Sequence, residues 1–70
     1  MDNIFLIQYL QGEIEALKVL NATDESLLSC PLPNATVRHF INGAIEARTN
    51  IINRFADRIA QAEKELETIA

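Results

Sequence analysis

The chain has 70 residues, of which 49% are hydrophobic and 23% are charged, and its formal net charge is −4. This composition is typical of one folded domain and excludes an intrinsically disordered chain. The acidic balance disfavours binding to duplex nucleic acid, which requires a dense basic surface.

The first predicted element is a helix from about residue 3 to residue 20. Apolar residues recur along it at intervals of three and four, and three more widen this seam: Leu6, Leu10, Ile14 and Leu17, with Ile7, Val19 and Leu20. This spacing is typical of a helix with one apolar face. The segment from Ile4 to Ile7, together with Tyr9, is apolar nearly all the way round, so we expect it to contact two neighbours.

The next segment is predicted to leave the helix. Asn21 begins a polar run, and Thr23 can cap a short turn at about residues 24–29. Pro31 and Pro33 remove two backbone donors and favour an extended linker over residues 30–33.

The last predicted element is one long helix over about residues 35–69, with Asn34 as its N-cap. Its apolar seam advances in steps of three and four: Val37, Ile41, Ala44, Arg48, Ile51, Phe55, Ile59, Ala62, Leu66 and Ile69. Such a seam indicates coiled-coil-like packing. A kink at Asn42-Gly43 stays open, because this dipeptide also favours turns.

The two helix lengths predict self-association. The second helix would be about 54 Å long and the first about 27 Å, so one cannot cover the other. A hairpin with Leu20 level with Asn34 places Asn3 near Ile51 and Gly12 opposite Gly43, where the two glycines would permit a close approach of the helix backbones. The end of the long helix then needs a second chain, so the predicted fold class is an all-α helical hairpin that assembles into an oligomeric bundle. The predicted oligomer interface comprises Phe5, Tyr9, Ile51, Phe55, Ile59, Ala62, Leu66 and Ile69.

Basic residues are the candidate ligand contacts. Arg48 lies on the seam, where it either pairs with a glutamate such as Glu13 or Glu46, sets the register, or binds an anion at a subunit interface. The other candidates are a basic band on the long helix and the residues of its first turn: Arg54, Arg58, Asn50, Arg38 and His39. For these residues, a solvated surface role remains the simpler interpretation.

The sequence contains no motif for a catalytic centre, a cofactor or a metal, so we expect a protein that is not an enzyme. Cys30 has no partner for an internal disulfide, and no signal peptide is predicted, which favours the cytoplasm. No membrane-spanning or membrane-bound segment is expected.

The leading functional prediction is a small homo-oligomeric interaction protein that binds and regulates or inhibits another macromolecule. Phage and bacterial accessory proteins are often of this size and acidity. The alternative is a protein that sequesters an anionic, nucleotide-like ligand between subunits, with the arginines converging on that ligand.

Overall fold

The computed structural model describes residues 2–31 and 34–69, and these form two helices that pack side by side as a hairpin. Helix α1 spans Asn3–Ser29 and helix α2 spans Ala35–Ile69. The predicted all-α helical hairpin is therefore confirmed. The molecule is a rod about 55 Å long, with a radius of gyration of 16.1 Å. A compact domain of this length would have a radius of gyration of about 11 Å.

Helix α1 begins where Asp2 caps it. The Asp2 carboxylate accepts a hydrogen bond from the backbone N–H of Ile4 at 2.9 Å, which satisfies one of the donors that a helix start leaves unpaired. The helix ends at Ser29, because Cys30 takes an extended conformation, as residues before a proline usually do. Leu32 and Pro33 of the predicted linker lie outside the described residues.

The predicted end of the first helix at residue 20 and the separate turn at residues 24–29 are wrong, because α1 continues unbroken to Ser29. Thr23 does not cap a new turn. Its hydroxyl donates to the carbonyl of Val19, one turn earlier in the same helix, at 3.0 Å. Asn21 is buried against α2, so it continues the helix seam instead of ending it.

Helix α2 has the predicted bounds. The Asn34 side chain accepts a hydrogen bond from the backbone N–H of Val37 at 2.9 Å and so caps the helix start. The helix runs through Asn42-Gly43 without a break. Nine of the ten predicted seam residues are buried or half-buried, and the side chain of the tenth, Ile69, lies outside the described part.

The longer α1 changes the register of the hairpin. Asn3 donates to the backbone carbonyl of Ala62 at 3.4 Å and to the Glu65 carboxylate at 2.9 Å, so it does not lie near Ile51. Gly12 and Gly43 do not make the predicted close approach, because a Cβ at either would meet nothing within 4 Å. With helices of about 40 Å and 52 Å, α1 covers α2 nearly to its end.

The hairpin has a thin core. Among the described residues, the buried apolar side chains are Leu10, Ile14 and Ala62. Leu10 and Ile14, as large buried side chains, contribute about 1.5–3 kcal/mol each, and the other apolar seam residues are half-buried and contribute less each. Among the described residues, the large apolar or aromatic side chains that stay exposed are Ile4, Phe5, Tyr9, Val19, Leu20, Leu27 and Phe40.

Candidate interaction surface

The seam of the hairpin contains a polar cluster around Arg48. Its guanidinium forms an ion pair with the Asp24 carboxylate of α1 and also donates to the Asn21 side-chain oxygen at 3.4 Å. The Asn21 amide in turn donates to the Thr49 hydroxyl at 3.3 Å. The partner of Arg48 is therefore Asp24 and not Glu13 or Glu46, and the cluster joins the two helices at one height.

Arg38 closes the C-terminal end of α1. Its guanidinium donates to the backbone carbonyls of Leu28, at 3.2 Å, and Cys30, at 3.5 Å. These carbonyls belong to the last turn of α1 and the residue after it, where a helix leaves acceptors unpaired and attracts a positive charge. In this arrangement Arg38 caps α1, a role that sequence spacing did not suggest.

The other predicted ligand contacts lie apart from Arg48. Arg54, Arg58, Asn50 and His39 are exposed on α2. Because a helix turns by about 100° per residue, Arg54 points about 120° away from Arg48 around the axis. A single chain therefore does not gather its arginines into one site. The His39 ring lies 6.3 Å from the neighbouring Phe40 ring, centroid to centroid.

An uncharged surface runs along the side of α1 that is turned away from α2. Its eight residues follow one another at intervals of three and four, except that Val19 and Leu20 are adjacent. We call this surface the α1 outer face; it comprises Phe5, Tyr9, Gly12, Ala16, Val19, Leu20, Thr23 and Leu27. All eight are exposed. Phe5 and Tyr9 are 68% and 64% exposed, although aromatic side chains have much to gain from burial.

Helix α1 thus has two apolar faces. The first is the seam against α2, which includes Leu10, Ile14 and Leu17, and the second is the α1 outer face, about 130° away round the helix. The remaining side is polar and includes Gln11, Glu15 and Lys18. A helix that packs against one neighbour needs one apolar face, and α1 has a second one that its own chain leaves exposed.

Part of the predicted oligomer interface is covered within the chain. Ala62 is only 2% exposed, and Ile51, Phe55, Ile59 and Leu66 are half-buried against α1. The prediction that a second chain must cover this end of α2 is therefore wrong, because α1 of the same chain already covers it. The side chain of Ile69 lies outside the described residues. Phe5 and Tyr9, the two members from α1, stay exposed as members of the α1 outer face.

The full length of the α1 outer face was not predicted from the sequence. The segment from Ile4 to Ile7, together with Tyr9, was predicted to be apolar nearly all the way round, but Val19 and Leu20 were assigned to a widened seam. The available signal was the absence of charge along one series of positions: Phe5, Tyr9, Gly12, Ala16, Val19, Leu20, Thr23 and Leu27. The chemistry of this face is hydrocarbon with one phenol and one hydroxyl, which suits burial against another macromolecule.

Comparison with known protein families, characterised proteins and solved structures gives no significant match to this chain. Across residues 2–31 and 34–69, neither helix contains a stretch long and apolar enough to cross a lipid bilayer.

Proposed function

We propose that this chain is a small homo-oligomeric interaction protein that binds and regulates or inhibits another macromolecule, and that it associates through the α1 outer face. The observation that carries the proposal is an uninterrupted, uncharged and exposed face along nearly the whole of α1. Patches of this kind on a protein surface commonly mark interaction sites.

The thin core of the hairpin supports the same proposal. Chains of this size usually need a disulfide, a metal or oligomerisation in addition to their own core. Cys30 is the only cysteine, so an internal disulfide is impossible. In the described residues, the buried apolar side chains are Leu10, Ile14 and Ala62. Association through the α1 outer face would bury further apolar surface and so stabilise the fold.

The anionic-ligand alternative rests on Arg54 and Arg58. Both are exposed, and neither forms an ion pair or a hydrogen bond within the part of the chain described. Arg48 and Arg38 are already engaged within the hairpin, however, which leaves two arginines of one chain for a ligand. A rise in melting temperature with added nucleotides would favour this alternative, because a ligand of the folded state stabilises it.

The mass of the protein in solution tests the association. Light scattering on a size-exclusion column should give a molecular mass larger than the 7.8 kDa of one chain, and this mass should increase with protein concentration. The double variant Tyr9→Ser/Leu20→Ser, on the α1 outer face, should lower that mass. The control Gln11→Ser/Ala22→Ser changes exposed residues on the polar side with the same spacing and should keep it.

The same two variants test the regulatory part of the proposal. A partner macromolecule should be retained by the wild type and the control but lost by Tyr9→Ser/Leu20→Ser, and its activity should change when the wild-type chain is added. A monomer at every concentration, with the same macromolecules retained by both variants, would refute the proposal.

A further inference from the structure

We propose that the α1 outer face pairs with the same face of a second copy of this chain, with the two α1 helices antiparallel and crossing at Ala16. This inference rests on the proposed function, because it takes the α1 outer face to be an association surface. It adds the identity of the occupant, the direction of the pair and the residues that meet.

The exposed area of the hairpin suits a partner the size of itself. The chain exposes 5195 Å², whereas a compact monomer of its mass would expose about 4,400 Å². The excess is about 800 Å², which equals the area that one partner contributes to a standard protein interface. A second copy would supply an equal area, and a two-fold axis would match the same surface on both chains.

Six residues of the α1 outer face form three pairs placed symmetrically about Ala16, and the two members of each pair differ in size, whereas Val19 has no counterpart on the face. Phe5 lies eleven residues before Ala16 and Leu27 eleven after it. Tyr9 and Thr23 lie seven residues away on either side. In an antiparallel pair that crosses at Ala16, each of these aromatic residues therefore meets a smaller side chain of the other copy.

The centre of the face shows the same complementarity. Gly12 lies four residues before Ala16, and the space above it is open, since a Cβ there would meet nothing within 4 Å. Leu20 lies four residues after Ala16 and is about half exposed. In the antiparallel pair, Leu20 of one copy lies over Gly12 of the other, and the two alanines allow the helix axes to come close together.

A parallel pair in register would fit less well. Gly12 would face Gly12 of the other copy and leave a gap, while Phe5 would face Phe5 and Tyr9 would face Tyr9. Gaps between packed helices forfeit contacts on both sides. The antiparallel pair also places the positive end of each helix dipole beside the negative end of the other.

Disulfide trapping tests the direction and the centre of the pair. In a Cys30→Ser background, which removes the exposed native thiol, Ala16→Cys should form a covalent dimer under mild oxidation. A disulfide requires Cα atoms within about 7 Å, which two residues at the crossing point satisfy. Phe5→Cys should not form one, because its two copies would be about 33 Å apart in an antiparallel pair.

The matched control is Ala22→Cys in the same background, since Ala22 is also an exposed alanine of α1 but lies on the polar side. Efficient trapping of Phe5→Cys, or equal trapping of Ala16→Cys and Ala22→Cys, would overturn the proposed pairing. Helical content by circular dichroism should match the wild type in all three variants.

The solution mass separates failure of the pairing from failure of the proposed function. Ala16→Glu should convert the oligomer to a monomer, whereas Ala22→Glu should not. An oligomer that survives Ala16→Glu overturns the pairing but leaves association elsewhere on the α1 outer face intact. A wild-type monomer that still binds a foreign macromolecule through Tyr9 and Leu20 overturns the pairing and the homo-oligomeric part of the proposed function, but it leaves the binding of another macromolecule through the α1 outer face standing.

Discussion

Asp24 of α1 and Arg48 of α2 form an ion pair across the hairpin, and within the described residues it is the one ion pair that joins the two helices. Both side chains are largely buried, so each would be left poorly solvated without the other. Removing one partner of such a pair lowers the free energy of unfolding by more than the intact pair adds to it, because the remaining charge is left unpaired.

We therefore expect Asp24→Ala to lower the free energy of unfolding by about 2–3 kcal/mol, measured by chemical denaturation monitored by circular dichroism. Arg48→Met alone should cost a similar amount. The double variant should cost less than the two single effects together, because it leaves no unpaired charge.

The exposed pair of Glu15 and Lys18 is the control for this prediction. Their charged groups are 3.9 Å apart on the surface of α1. Glu15→Ala should change the free energy of unfolding by no more than about 0.5 kcal/mol, since exposed pairs contribute little. Equal effects of Asp24→Ala and Glu15→Ala would contradict the role assigned to the polar cluster.

The bounds of α2 could be predicted from the sequence, whereas the end of α1 was predicted too early. Helix α2 was predictable because apolar residues mark its seam and because Asn34 is a favoured N-cap. In α1 the same spacing continues past Leu17 through Asn21 and Asp24, but these residue types also favour helix ends. Their partners on α2 are far away in sequence, so local reasoning could not assign them to the seam.

The α1 outer face was hidden for a different reason. A pattern with two apolar faces resembles one wide face when neighbouring positions such as Val19 and Leu20 are counted together. The two faces separate only once the direction of α2 is known from contacts such as that between Asn3 and Glu65. The chain's own fold decides which apolar residues stay exposed.

The Asn34 cap of α2 should contribute measurably to the free energy of unfolding. Asn34→Ala removes the acceptor for the backbone N–H of Val37 and should lower the free energy of unfolding by about 1 kcal/mol. Asn42→Ala makes the same change at an exposed interior position of α2, where alanine is the better helix former, and should raise it by about 0.5 kcal/mol. Thermal or urea unfolding of the two variants measures the difference, and a loss of stability in both would argue against the cap.

The two glycines should respond differently to alanine. A methyl group at Gly43 meets nothing within 4 Å, so Gly43→Ala should raise the free energy of unfolding by about 0.5–1 kcal/mol through helix propensity. The same gain is expected for the isolated hairpin with Gly12→Ala. In the proposed antiparallel pair, however, the added methyl occupies the space that Leu20 of the other copy fills.

Gly12→Ala should therefore weaken self-association while Gly43→Ala leaves it unchanged. Analytical ultracentrifugation at several concentrations compares the two dimer dissociation constants. Equal dissociation constants would indicate that Gly12 lies outside the contact between the two copies.

Ala62 tests the register that places the start of α1 against the end of α2. It is 2% exposed, and Asn3 donates a hydrogen bond to its backbone carbonyl. Ala62→Leu adds three carbon atoms where the first turns of α1 lie close, so we expect a loss of about 1–3 kcal/mol in the free energy of unfolding.

Ala60→Leu is the matched control, because Ala60 is exposed on α2 two residues earlier. It should change the free energy of unfolding by no more than about 0.5 kcal/mol in urea titrations of both variants. In a hairpin with the shorter α1 that the sequence predicted, Ala62 would lie beyond the end of α1, and the two leucine variants would be equally stable. Measured at a concentration where the chain is monomeric, so that no second chain covers Ala62, a clear difference between them requires α1 to reach Ala62 in solution.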